Sequence, residues 1–350
     1  MARDAGVHPA TASRALNPAV RGEVSAVTVQ RVRRSAERLG YVPNTLARGL
    51  RTSRSYVAAL VIPDITNALF PPIVRGAEQV LTGAGFTLVL TDTNNAVEVE
   101  RSQIASMRAH GVDGFIVATA RWHDRLLDEL AAEGFPTVLV NRRCSTSELP
   151  FVGGDDQQGV RLCVDHLVAL GHRDIVHLAG PADTSTGRER AHAFRAAMRD
   201  HGLPARNTVV ECAAYTEQAG AEGASRLLKR RAPFTAVVAA NDLVALGVIG
   251  ELGRSGLECP RDYSITGFND LAFMDKLTPP LTTVRVPFTE MGAHAARRLL
   301  EWIADRKPTP TQSMLPVELV VRGTTGRRTS DPGAAGRTRP QASRASTSTS

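Results

Sequence analysis

The chain of 350 residues reads as an α/β protein: a small all-α head followed by two doubly wound lobes on parallel sheets. Three observations predict this. From Ser55 onward, short continuous apolar runs alternate with segments of helical periodicity, the pattern of parallel strands buried on both faces. The alternation pauses near Gly153–Gly154 and resumes, which divides it into two runs with a cleft between them. Ahead of it lies a basic segment with helical patterns only, punctuated by Gly6, Gly40 and Pro43.

In the head, Gly6 can take a turn conformation that a β-carbon would forbid, and Pro9 suits the first position of a helix because its missing N–H has no partner there. From Pro9 the outward side chains are short or basic (Ala10, Thr11, Ser13, Arg14), and Val7, Ala12 and Leu16 are the apolar ones that face inward. A helix with such a face fits a DNA major groove, with Arg14 reaching a guanine edge and the hydroxyls contacting phosphates. Val24–Leu39 carries Val29, Val32, Ala36 and Leu39 on one helical face, with Ser25 as N-cap and Gly40 in the left-handed stop position. Asn44 caps a further short helix, Thr45–Leu50, too short to be stable before it docks.

Charge separates head from body. Residues 1–54 hold ten arginines against three acids, a net of +7; residues 322–350 carry +5, and the stretch between carries −5. A basic head on a mildly acidic body is the footprint of a protein that meets DNA with its head alone. Gly326–Ser350 is rich in Ser, Thr, Arg, Ala and Gly, has too little apolar content to fold, and is expected to be disordered.

Apolar residues make up 43% and aromatics 5%, ordinary values for a globular chain. No apolar run reaches the roughly 18 residues that would span a membrane, and no signal-peptide pattern is present. Four cysteines lie far apart without CxxC spacing. They read as reduced thiols of a cytoplasmic protein, with no metal site and no cofactor.

In the body the strand candidates are Tyr56–Ile62, Phe86–Leu90, Gly114–Ala118, Thr137–Val140, Ile175–Ala179, Ala236–Ala240 and Ser264–Gly267. The helical candidates between them are Phe70–Leu81, Glu98–Ala109, Leu126–Glu133, Gln157–Leu170, Glu189–His201, Gln218–Lys229 and Leu243–Arg254. Ligands of doubly wound sheets bind at the carboxyl ends of strands. Those ends supply Asp64, Asn67 and Phe70, then Asp92, Thr119 and Asn141 beside Arg142. In the second run they supply Arg190, Tyr215, Asn241, Asp242 and Asn269. Amides, carboxylates and a guanidinium with aromatic faces suit a polyhydroxylated sugar or a nucleoside.

Catalysis is not expected. Asp155-Asp156 at the lobe crossing reads as a cap; His166 lies within a helix, His172 in a turn and His177 in an apolar strand. Neither a GxSxG elbow nor a phosphate loop appears.

The stretches AGVHPATASRALN, VSAVTVQRVRRSAERLGYVPNTLARGLR, VIPDITNALFPPIVRGAEQVL, VVAANDLVALGV and TGFNDLAFMDKLTPPLTTVRVP occur in that order. Together they resemble the LacI/GalR family of bacterial repressors, over roughly residues 1–325. The resemblance implies a helix-turn-helix head at 1–43, a hinge at 44–54 and a periplasmic-binding-protein-like body at 55–325, its second lobe mainly 154–281. It implies that Pro9, Ala10, Thr11, Ser13, Arg14 and Asn17 meet DNA from the recognition helix. Asn44, Ala47 and Leu50 act from the hinge, Leu50 as a minor-groove wedge and Ala47 allowing close approach.

Arg190 and Asn269 stand where the family's ligand-clamping Arg and Asp usually stand, with Asn269 in place of that Asp and Ala193 in place of a common Gly. The implied protein is a homodimer on a palindromic operator, paired through Pro71–Leu81 and Glu98–Ala109, with a small effector in the cleft. No tetramer is expected, since no leucine heptad closes the C-terminus. Family members carry about five more residues before the position of Met1, so a longer N-terminus is expected. The other class compatible with such lobes is a solute-binding protein without DNA-binding activity; the basic head and the lack of a signal peptide argue against it.

Overall fold

The computed structural model describes residues 1–16, 24–41, 54–145, 148–204, 208–230, 233–305 and 311–328. The head holds helices α1 (Pro9–Leu16) and α2 (Ala26–Arg38). The body begins with strand β1 (Val57–Ile62), helix α3 (Phe70–Gly83), β2 (Thr87–Asp92), α4 (Val97–Ala109) and β3 (Gly114–Val117). It continues through α5 (Arg125–Ala132), β4 (Thr137–Val140), β5 (Phe151–Gly154), α6 (Asp156–Ala169), β6 (Ile175–Ala179) and α7 (Ser185–Asp200). Then come β7 (Val209–Glu211), α8 (Glu217–Lys229), β8 (Ala236–Ala239), α9 (Asp242–Arg254) and β9 (Ser264–Asn269). The last elements are β10 (Thr282–Arg285), α10 (Phe288–Asp305), β11 (Gln312–Leu315) and β12 (Glu318–Val320).

Two six-stranded sheets result, ordered β11-β5-β4-β3-β1-β2 and β12-β10-β9-β8-β6-β7. The first is wholly parallel; in the second only β12 runs antiparallel, against β10. The sequence reason is visible in the central strands: VAALVI, GFIV and TVLV are apolar but for Thr137 and buried but for the half-buried Val57, as sheets covered on both faces require. The chain passes between lobes at 154–156, 285–288 and 315–318. Apolar residues at these crossings (Val286, Phe288, Leu315, Val317) join a core that runs through both lobes.

Each lobe seats one helix pair by glycine. A β-carbon on Gly76 of α3 would lie 1.9 Å from the Thr289 carbonyl oxygen of α10, and one on Gly247 of α9 would lie 1.9 Å from that of Glu217 of α8. Both are impossible contacts, so the backbones touch only because no side chain intervenes.

The head folds around Ala5, Ala12, Ala15 and Val32, with Val7, Leu16 and Val29 packed on them. Residues 1–7 form a single turn, with the Ala5 N–H donating to the Met1 carbonyl over 2.9 Å. Gly6 and Gly40 take the expected positive φ, +59° and +58°. The Ser25 hydroxyl caps α2 by accepting from the Thr28 N–H.

Several expectations are corrected. Leu39 is 51% exposed, because α2 ends at Arg38 and the inward position of its last turns falls to Ser35. The second lobe extends past residue 281 and takes β10 and β12. Helix α10 and strands β5, β10, β11 and β12 add to the elements that the periodicity predicts, and β7 is the strand expected before Tyr215. Order does not stop at Gly326. The Gly326 N–H donates to Ser264 Oγ over 3.1 Å, its carbonyl lies 3.0 Å from His172 Nε2, and the Arg328 N–H reaches the Leu170 carbonyl at 3.0 Å. Residues 329–350, the hinge with Asn44, Ala47 and Leu50, the loop with Asn17, and Pro43 lie outside the described residues.

Candidate functional site

The carboxyl ends of both sheets face one another across a cavity of about 290 Å³. From the first lobe it is lined by Asp64, Asn67, Glu100, Thr119, Arg121 and Arg142, and from the second by Asp183, Thr184 and Tyr215. A small deeper recess shares Asn67, Arg142 and Tyr215 with it and adds Phe70, Asn141, Thr186, Arg190, Asn241 and Asn269. Parallel winding brings these distant residues together, since every β-α connection turns over the same edge of its sheet.

Most of these side chains are held in place. Tyr215 Oη lies 2.7 Å from Thr186 Oγ1 and 3.3 Å from Thr184 Oγ1. Asn241 caps α9 by accepting from the Val244 N–H at 2.8 Å. Asp64 accepts from the Thr66 N–H and hydroxyl at 2.8 and 2.6 Å, and Asn67 accepts from the Leu69 N–H at 3.1 Å. Thr119 donates to the buried carboxylate of Glu100, whose pKa burial pushes up. Asn269 is buried with φ at +118°, and its amide oxygen has no partner among the described residues.

Arg190 is 5% exposed and heavily committed. Its Nε and one terminal nitrogen reach Asp156 Oδ1 at 2.9 and 2.8 Å, the other terminal nitrogen donates to the Ala240 carbonyl at 2.6 Å, and its plane lies 3.7 Å over the Phe268 ring. Asp155 beside it accepts from the Gln158 N–H as the cap of α6. The adjacent carboxylates thus divide into a cap and an ion-pair partner. The three histidines have structural bonds as well: His166 to Thr325, His172 to Thr235 and Gly326, and His177 to the Val238 carbonyl.

Two expected ligand residues point away from the cleft. Asp92 accepts from the backbone N–H groups of Ile65 and Asn94 and so ties two loops together. Asp242 is fully buried within the second lobe, accepting from the Leu271 N–H at 2.7 Å and from the Thr283 hydroxyl. Burial pushes its pKa up to about 7. A carboxylate after a strand reads alike whether it turns to the cleft or to its own loop.

Contacts between the lobes were missed by sequence reasoning. The Trp122 N–H donates to the Asp183 carbonyl at 2.7 Å and the Arg143 N–H to Ser185 Oγ at 3.0 Å, while Arg143 pairs with Glu189 at 2.8 Å. Arg142 stands 5.4 Å over the Tyr215 ring, and Trp122 faces both Arg143 and Arg188. No short-range signal marks such pairs, because the partners across the cleft lie 42 to 73 residues apart.

On the head, Pro9, Ala10, Ser13 and Arg14 are exposed along α1 and Thr11 is half-buried, so this face is small and polar apart from one guanidinium. Arg31, Arg33, Arg34 and Arg38 extend the exposed basic surface along α2. No described helix is long and apolar enough to cross a membrane.

Fold and site define a class: a two-lobed ligand-binding body carrying a helix-turn-helix head. Residues 1–44 match the model of bacterial regulatory proteins of the lacI family, and residues 164–325 that of the periplasmic binding protein-like domain. The transcriptional regulator DegA of Bacillus subtilis (strain 168) is 32% identical over 93% of this chain and 96% of its own length. Among solved structures, the lac repressor dimer bound to operator and the anti-inducer ONPF superposes with a TM-score of 0.79 at 27% identity, covering 93% of this chain and 97% of that one. The complex of the regulator CelR with cellobiose gives 0.73 at 29% identity, over 92% and 98%. The chain belongs to the lacI family of bacterial regulatory proteins, and its role is transcriptional regulation through DNA binding.

Proposed function

We propose that the protein is a cytoplasmic repressor that binds a palindromic operator as a homodimer and is governed by a sugar or related metabolite in the interlobe cleft. The observation that carries this reading is the union, in one chain, of a head helix with a short, hydroxyl-bearing, Arg-tipped face and a two-lobed body with a polar cleft between its sheets. Pro9, Ala10, Thr11, Ser13, Arg14 and Asn17 read the major groove, with Arg14 supplying the guanine contact. Asn44, Ala47 and Leu50 order in the minor groove when the dimer docks. Asp64, Asn67, Phe70, Thr119, Asn141, Arg190, Tyr215, Asn241 and Asn269 hold the effector. The protein acts by binding and carries out no catalytic step.

Dimerisation is supported by Val89 and Leu90 on edge strand β2 and Val97 and Val99 on α4, all partly exposed on the first lobe. An unpaired parallel edge with apolar side chains is a surface that a second copy covers. Effector and operator affinities are then reciprocally coupled through the relative placement of the first lobes.

In-vitro selection from random duplex DNA, with and without candidate sugars, tests this. A palindrome should emerge, and Arg14→Ala should lose preference for it over random DNA by about tenfold or more while keeping effector binding. Equal affinity of the wild type for selected and random duplexes would overturn the reading.

A further inference from the structure

We propose that residues 54–56, where the linker from the head enters the first lobe, form a rigid socket that sets the half-site spacing the dimer accepts. This rests on the reading of the protein as a dimer on a palindromic operator. The socket has two walls, both at the amino-terminal edge of the first sheet, away from the cleft at its carboxyl edge. One wall is the last turn of α10, where a helix leaves carbonyls without partners of its own. Arg54 meets that need: its guanidinium donates to the Ile303 carbonyl at 2.6 Å, a cation at the negative end of the helix. The other wall is Asp113, just ahead of β3. Its two carboxylate oxygens accept from the Ser55 N–H at 3.0 Å and from the Tyr56 N–H at 2.7 Å.

Between these walls Tyr56 holds φ at +59°, a backbone conformation that residues other than glycine rarely take. Such a residue keeps its conformation only where its surroundings over-determine it. Here they do. The Tyr56 carbonyl accepts from the Thr87 N–H at 2.8 Å, the Val57 carbonyl accepts from the Asp113 N–H at 2.8 Å, and the Tyr56 ring lies 5.3 Å from that of Phe86. The walls are fixed as well. Besides the approach at Gly76, a β-carbon on Gly292 of α10 would lie 2.0 Å from the Ile73 carbonyl oxygen of α3, so the two helices are seated at two points. Leu299 of α10 packs beside Asp113, 2.7 Å from where a β-carbon on Gly114 would stand. A chain that leaves through a bent and doubly anchored residue leaves in one direction. In a two-fold dimer, one exit direction per protomer fixes the distance and rotation between the heads, and with them the half-site spacing.

The test uses the full chain, its Arg54→Ala and Asp113→Asn variants, and Arg54→Lys, which keeps a cation able to donate to the carbonyl. Each is titrated by fluorescence anisotropy against the palindrome that the wild type selects, and against versions with one base pair added to or removed from its centre. One base pair turns a half-site by about 35° and moves it by about 3.4 Å. The wild type should bind the altered spacings about tenfold or more weakly than the selected one. Arg54→Ala and Asp113→Asn should narrow that ratio to about threefold or less, and Arg54→Lys should restore most of it. Arg54 is half-buried at the surface, so its variants should melt close to the wild type. If Arg54→Ala weakens every spacing by the same factor and lowers the salt slope by about one, Arg54 contacts a phosphate instead. That result, an equal loss at all spacings in both variants, or the wild-type ratio in both overturns the proposal. If the wild type selects no palindrome, the repressor reading falls and takes the proposal with it.

Discussion

The two lobes share a strand order and a glycine-seated helix pair, yet they place polarity differently. The first lobe buries one charged group, Glu100 beside Thr119, and leaves apolar side chains on its β2 edge, where Val89 and Leu90 are 38% and 37% exposed. The second buries Arg190 with Asp156, and also Asp242, His172 and His177. The same winding therefore builds an association surface on one side and a preorganised polar wall on the other. Buried polar groups hold a fixed geometry when their partners are complete, as those of Arg190 and Asp242 are.

The likeness between the lobes can be broken most strongly at the glycine crossings. Gly76→Ala and Gly247→Ala each force a β-carbon to within 1.9 Å of backbone oxygen. Both should destabilise by about 3 kcal/mol or more, seen as a fall in denaturation midpoint. Wild-type midpoints in both variants would mean that the helices separate without cost.

Next in size is the buried carboxylate of the second lobe. Asp242 keeps its proton in the folded state up to about pH 7, against an ordinary value of 3.8. Its contribution to stability is therefore complete below pH 3.8 and lost as pH rises through about 7. His177 works in the opposite sense: burial lowers it to about 4 from 6.5, so its contribution is complete above pH 6.5 and lost as pH falls through about 4. Asp242→Asn retains an acceptor for the Leu271 N–H and a donor for Thr283. It should remove the loss on the alkaline side, so that its melting temperature gains on the wild type between pH 4 and 7. A constant difference across that range would show that Asp242 is ionised throughout.

The smallest effect on folding, though not on assembly, belongs to the first-lobe edge. Val89→Asp should change the folding free energy of the monomer by no more than about 0.5 kcal/mol, as exposed substitutions do, while shifting the sedimentation profile from dimer to monomer. An unchanged dimer would remove β2 from the interface.

How much of this was legible depends on range. The central strands announced themselves, because full burial needs continuous apolar runs, and so did the residues that follow them. Helix α10 was equally legible in principle: Phe288, Met291, Ala295, Leu299 and Trp302 repeat at helical spacing and are buried. The destinations of Asp92 and Asp242 were not, since an acid after a strand serves loop or cleft depending on partners far along the chain. The partners of Arg142 and Trp122 are long-range for the same reason. At Leu39 the period continued for one residue beyond the helix.

The crossings between lobes set an order on synthesis. Helix α3 presents Ile73 and Gly76 to α10, and the first sheet ends in β11, yet both partners are made after the whole of β6 to β10. On a growing chain the first lobe cannot close when its own N-terminal portion emerges. The apolar face of α3 must wait, uncovered, until residues 288–315 arrive, and a chain interrupted before Phe288 is left with that face open to aggregation or to chaperones.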